Sequence, residues 1–264
     1  MAVDAIDPRK DENMALIEIA RYDGYATITL NNPDKRNMLS PEMVDGLYGA
    51  MDKLEADEDV NAIVITGSGR AFCAGADVSK LGAADREGLL HIYGAFLRVA
   101  RSSVLTIAAV NGAAVGAGMN LALAADIRIV GTSGRFDTRF LSIGLHPGGG
   151  HTWMLQRCVG PQVASAMLLA AKVVSGQEAV SLGLALECAA DEQLLNVAYL
   201  LAQGAARTPR GLLMKAKESM RKTAIDISHD EAVAIELEAQ LWSKAQPEFA
   251  DRIAELTQRI SSKE

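Results

Sequence analysis

Cysteine is scarce: the 264 residues hold three, Cys73, Cys158 and Cys188. An odd number without paired spacing excludes a disulfide framework and a zinc cluster, and reduced thiols point to the cytoplasm. No Gly-Lys-Ser/Thr follows a glycine loop, which removes the phosphate P-loop. No apolar run reaches the roughly 20 residues that cross a bilayer, so no membrane partner is expected. Positive charge is also short, with 26 Lys and Arg against 33 Asp and Glu. That acidic balance argues against a nucleic-acid partner. The first residues, MAVDAIDPRKDENM, resemble neither a signal nor a transit peptide, and residues 1–14 read as a loose tail. What remains is a chain that is 49% hydrophobic, enough for a sizeable core.

That core centres on Thr106 to Val130, TIAAVNGAAVGAGMNLALAADIRIV. A short apolar run, Thr106 to Val110, reads as a buried strand. Asn111-Gly112 marks a turn. Gly116-Ala117-Gly118 then lead into good helix formers. A strand that passes through small residues into a helix leaves backbone N–H groups free at the helix start. Those donors, with the helix dipole behind them, can hold a negative oxygen. Two readings stand here: an anion-holding loop, or small residues that let helix and sheet pack closely. A dinucleotide fingerprint fits less well, because Leu121 holds the third glycine position.

The rest of the chain supplies a setting. Ala15 to Ala20 and Tyr25 to Leu30 read as a hairpin. Ser40-Pro41 opens a helix with its apolar residues on one face. Ala62 to Thr66 reads as a strand buried on both sides. It runs into a second small-residue loop, Gly67 to Asp77, followed by a helix from about Asp85 to Ser102. Alternating strands and helices predict an α/β fold with a parallel sheet. Ligands sit at strand carboxyl ends in such sheets, and both loops lie there. Beyond Gln156 the chain reads as nearly all helix, with capping boxes at Ser175 and Ser228.

Taken together, AFCAGAD (Ala71 to Asp77) and VNGAAVGAGMNLALAADIRI (Val110 to Ile129) resemble the signatures of the crotonase superfamily, the enoyl-CoA hydratase/isomerase family. LNNPDKRNMLS (Leu30 to Ser40) and IGLHPGGG (Ile143 to Gly150) match two further family blocks in order. The resemblance implies a ClpP/crotonase-like fold, with repeated ββα units forming a β-spiral. It divides the chain into a core over residues 15–200 and a helical C-terminal region over 201–264 that builds homotrimers or homohexamers. It implies an acyl-CoA thioester as ligand, with CoA as part of the substrate and no other cofactor and no metal. The backbone N–H groups of Ala76 and Ala117 would grip the thioester oxygen, Ala117 standing where the family usually has glycine. Gly116, Ala74 and Gly75 would shape the two loops. Arg36, with Cys73, Asp77 and Lys80 around the first loop, would meet CoA.

The family's two catalytic glutamates are missing, since Asn120 and Phe140 hold their positions. An amide and a phenyl ring cannot exchange protons near neutral pH, so hydration by that route is not expected. His146 and Asp137 are the substitute candidates for acid–base work. The alternatives are a histidine packed on its turn and a capping aspartate. Cys73 reads either as a nucleophile or as a small buried residue. Two function classes follow: an enzyme acting through a thioester enolate, or an acyl-CoA binder that kept the grip and lost the chemistry.

Overall fold

The computed structural model describes residues 10–14, 16–82 and 84–261. The chain divides into two compact units, Met1–Ala206 and Arg207–Glu264.

In the first unit, β1 (Lys10–Met14), β2 (Ile17–Arg21) and β3 (Tyr25–Leu30) form an antiparallel run. Residues 10–14 thus correct the expected tail. Lys10 pairs with Arg21 and Met14 with Ile17, so this stretch is an edge strand hydrogen-bonded on one side to β2. Residues 1–9 of that expected tail lie outside the described residues. Helix α1 (Pro41–Ala56) starts as expected: Ser40 accepts a hydrogen bond from the Met43 N–H at 3.3 Å and Pro41 follows it. Met43, Val44, Leu47, Met51 and Leu54 are all buried on one face.

Three repeats follow. Each places its first strand in a large sheet and its second in a small one. They are β4 (Ala62–Gly67) with β5 (Ala71–Cys73), β6 (Leu105–Val110) with β7 (Ala113–Val115), and β8 (Ile127–Gly131) with β9 (Arg135–Asp137). Helices α2 (Val78–Leu81) and α3 (Arg86–Ala100) follow the first pair, α4 (Ala117–Ala124) the second, and α5 (His151–Leu168) the third. Helix α5 breaks at Gly160, whose φ of 75° precedes Pro161. Strand β10 (Val174–Ser175), α6 (Gly176–Ser181), β11 (Glu187–Ala189) and α7 (Leu194–Ala206) complete the unit. The large sheet has the order β1-β2-β3-β4-β6-β8-β11, parallel from β3 onward, and the small sheet β10-β9-β7-β5.

These ββα repeats match the expected crotonase architecture. The predicted β-α-β-α alternation differs in detail: it missed β5, β7 and β9, which lie within stretches read as loops. Three-residue strands are too short to show a period. The boundary also moves from residue 200 to 206. Helix α7 packs on β4, β6 and β8, buries Ala198, Ala202 and Ala205, and its Ala205 carbonyl accepts from the Asn61 amide.

The second unit is α8 (Arg210–Thr223), α9 (His229–Lys244) and α10 (Pro247–Ser261). Ser228 and Glu231 form the expected reciprocal capping box on α9. Phe249, Ile253, Leu256 and Ile260 stand exposed along α10.

One glycine fixes how the loops meet. A Cβ at Gly118 would run into the carbonyl of Cys73, where α4 crosses β5. Backbone cannot yield as a flexible side chain can. Gly118→Ala is expected to lower stability by about 3 kcal/mol, measured by denaturant unfolding.

Candidate active site

The two small-residue loops line one cavity of about 810 Å³ in the first unit. Helix α4 begins at Ala117 because Gly116 takes φ 53°, ψ −116°, a turn that L side chains rarely adopt. The Gly116 N–H donates to the Asp137 carbonyl at 2.9 Å, which ties the turn to β9. The first loop is held by Ala74 N–H donating to Arg36 O and by Leu39 N–H donating to Gly75 O. Ala76 forms a bridge with Leu39. Gly75 takes φ 96°, and a Cβ there would lie 2.7 Å from the Val115 carbonyl and 3.6 Å from the Ala117 nitrogen. The two loops are therefore in backbone contact beside Ala117. Among the described residues no acceptor meets the N–H of Ala76 or of Ala117.

The cavity wall sorts the expected site residues. Arg36, Ala74, Gly75, Ala76, Gly116, Ala117, Asn120, Phe140 and His146 all line it. Cys73 does not. It is fully buried, with its thiol pushed up to about 12 by desolvation. It is the small core residue of the two readings, and neither nucleophile nor ligand contact. Asp77 is also absent from the wall: its carboxylate accepts from the N–H and Oγ of Ser79 at the start of α2. The side chain of Lys80 lies outside the described residues.

Asp137 departs from expectation too. Its side chain is buried off the cavity and bonded to the Arg139 guanidinium, which it holds above its ordinary pKa. A carboxylate turned onto an arginine away from the cavity does not reach a ligand there. His146 is exposed at the rim, its Nδ1 2.8 Å from the Pro147 carbonyl. A carbonyl only accepts, so Nδ1 is the donor of this pair and Nε2 is the ring nitrogen left for a ligand.

Several wall residues escaped sequence reasoning. Arg70, Arg135 and Arg139 join Arg36 there, and no Asp or Glu does among the described residues. A net charge of −7 thus conceals a cavity fit for an anionic ligand. Tyr93 of α3 lines the wall as well, and a Cβ at Gly148 would strike its hydroxyl. His151 opens α5, packs edge-on against Phe140 with ring centres 4.9 Å apart, and is 1% exposed. The Phe140 ring itself approaches Gly116.

Burial holds the His151 imidazole down to about 4, from an ordinary 6.5. The folded chain thus takes up this proton later than the unfolded chain as pH falls. Its contribution is complete above pH 6.5 and is lost as pH falls through about 4. The full loss is about 3 kcal/mol. His151→Asn is expected to remove that component from the acid limb, read as the wild-type minus variant stability between pH 7 and pH 4.

Known proteins resemble this chain over most of its length. A family model described as enoyl-CoA hydratase/isomerase matches residues 20–253. The probable enoyl-CoA hydratase EchA14 of Mycobacterium tuberculosis is 50% identical over 238 residues, covering 87% of this chain and 92% of the relative. The 1,2-epoxyphenylacetyl-CoA isomerase of Escherichia coli is 34% identical over 218 residues, covering 78% and 83%. The crystal structure of a putative enoyl-CoA hydratase from Streptomyces coelicolor superposes with a TM-score of 0.86 at 29% identity, covering 98% and 97%. Among the described residues no helix is long and apolar enough to cross a membrane. Architecture and relatives agree: this chain is an enzyme of the enoyl-CoA hydratase/isomerase family, within the crotonase superfamily.

Proposed function

We propose that the chain processes an acyl-CoA thioester by holding its carbonyl oxygen between the N–H groups of Ala76 and Ala117. The observation that carries this is the pair of unengaged amides on two loops in backbone contact at one cavity. Donors already aimed at a developing oxyanion stabilise it without reorganisation, the largest single contribution such sites offer. Loss of a proton from the carbon next to the carbonyl then leaves an enolate on that oxygen. The arginines of the wall suit the phosphates of CoA. His146, on this wall with Nδ1 engaged by the Pro147 carbonyl, offers Nε2 as the proton acceptor.

The cavity has no carboxylate among the described residues, so crotonyl-CoA hydration by two glutamates is expected to be slow or absent. A relative named as an isomerase is consistent with chemistry other than hydration. The test is mass-spectrometric turnover of a mixed acyl-CoA library by wild type and His146→Ala. Turnover of one or more thioesters, cut in the variant, supports the reading. Rapid crotonyl-CoA hydration unaffected by Asn120→Ala or His146→Ala defeats the acid–base part of it.

The same absence of carboxylates favours a second reading, an acyl-CoA binder without turnover. Tight binding with no turnover across that library decides for it. Either way we expect a homotrimer or homohexamer in the cytoplasm. The apolar stripe of α10 and the three free thiols support this.

A further inference from the structure

Asn120 sits at the cavity with its amide fixed at both ends. Its Nδ2 donates to the Gly148 carbonyl at 3.0 Å. A carbonyl only accepts, which settles which end of the amide is nitrogen. Its Oδ1 then faces Nδ1 of His151 at 2.6 Å, so Nδ1 carries the proton and Nε2 is a lone pair. That Nε2 is buried and meets no hydrogen-bond partner among the described residues. An unpartnered buried acceptor is an uncommon feature that calls for a reason. Phe140 closes against the same ring, and His151 is 1% exposed, so the imidazole has little room to turn.

With its oxygen on His151 and one hydrogen on Gly148, Asn120 has one N–H left, and Asn120 lines the cavity. It lies three residues after Ala117 on α4, hence on the same helical face. Side chains lean toward a helix's N-terminus, which brings the amide back over the first turn. One pitch, about 5 Å, is the most that separates it along the axis from the Ala117 N–H. A ligand with its thioester oxygen at Ala117 and its acyl chain running along α4 presents its third acyl carbon near this amide.

We infer that His151 is a positioning residue: it locks Asn120 as a hydrogen-bond donor facing the cavity, which selects acyl-CoA thioesters bearing an acceptor oxygen on carbon 3. The inference rests on the thioester reading of Proposed function. Without His151 the amide keeps only its bond to the Gly148 carbonyl, its oxygen loses the donor that completes the fix, and the remaining N–H is held less firmly, so the selection weakens.

Calorimetric titration with acetoacetyl-CoA and butyryl-CoA tests this, since both carry four-carbon chains and differ by the oxygen on carbon 3. Wild type is expected to bind acetoacetyl-CoA about tenfold tighter, the scale of one net hydrogen bond. Asn120→Leu should bring the ratio to about one, and His151→Leu should lower it several-fold. His151→Asn, an amide that still donates to Asn120, should restore the preference, which a purely space-filling role would not do. Nitrogen-15 NMR of the histidines adds a readout that does not depend on a folded variant: the Nδ1–H tautomer is expected at His151. A preference unchanged in His151→Leu, or an Nε2–H tautomer in wild type, overturns the inference. Equal binding of both thioesters by wild type overturns it alone. Binding of neither overturns the thioester reading and this inference together.

Discussion

Replacing Ala117 with proline should cut kcat by about 10²–10³ while leaving the protein folded. Ala117 is the first residue of α4. Proline is well accepted at that position because its fixed φ is helical and its missing N–H has no partner within the helix. The residue before it is Gly116 at φ 53°, ψ −116°. Lacking a Cβ, glycine takes this mirror image of the extended shape that proline prefers before it. The substitution thus deletes one donor with little other disturbance. Ala117→Gly, which keeps the N–H, should stay near wild type. Turnover of whichever thioester the library identifies is the measure, with unfolding midpoints alongside. An Ala117→Pro protein that turns over at the wild-type rate would remove Ala117 from the grip.

The second large effect belongs to Gly75→Ala, which acts on the join between the two loops. Gly75 holds φ 96°, and a Cβ there would stand 2.7 Å from the Val115 carbonyl, just before Gly116. Relief requires one loop to move away from the other. A displacement of about 1 Å of a positioned group costs about 10²-fold in rate, so kcat/KM should fall by about that factor. Strained backbone of this kind costs about 1–3 kcal/mol, which denaturant titration would register. Loss of stability without loss of rate would mean that the contact between the loops serves packing alone. That was the second reading of the small residues when they were met in sequence.

These two positions show what was legible beforehand and why. Gly75, Gly116 and Ala117 stood out because backbone-level chemistry leaves a local mark: small residues, a preceding strand, a following helix. The long strands and α1 were equally readable, since Ser40-Pro41 and the spacing of Met43 to Leu54 speak within one segment. Strands β5, β7 and β9 were not, because three residues carry no period and only their pairing in the small sheet defines them. The roles of Asp77 and Asp137 were misjudged for a related reason. A carboxylate's task depends on its partner, and Ser79 and Arg139 capture these two. His151 reaches Asn120 across 31 residues of chain, and nothing local announces that contact. The four arginines of the cavity come from three stretches of chain, so a net charge summed over the whole could not reveal them.

The claim beneath all of this is that two main-chain donors polarise one carbonyl. Isotope-edited infrared spectroscopy of butyryl-CoA labelled with carbon-13 at the thioester carbonyl measures that polarisation without requiring turnover. The carbonyl stretch should move to lower frequency when the ligand binds wild type, and the shift should shrink in Ala117→Pro. A bound carbonyl that absorbs where the free one does, or a shift equally large in Ala117→Pro and Gly75→Ala, would contradict the account.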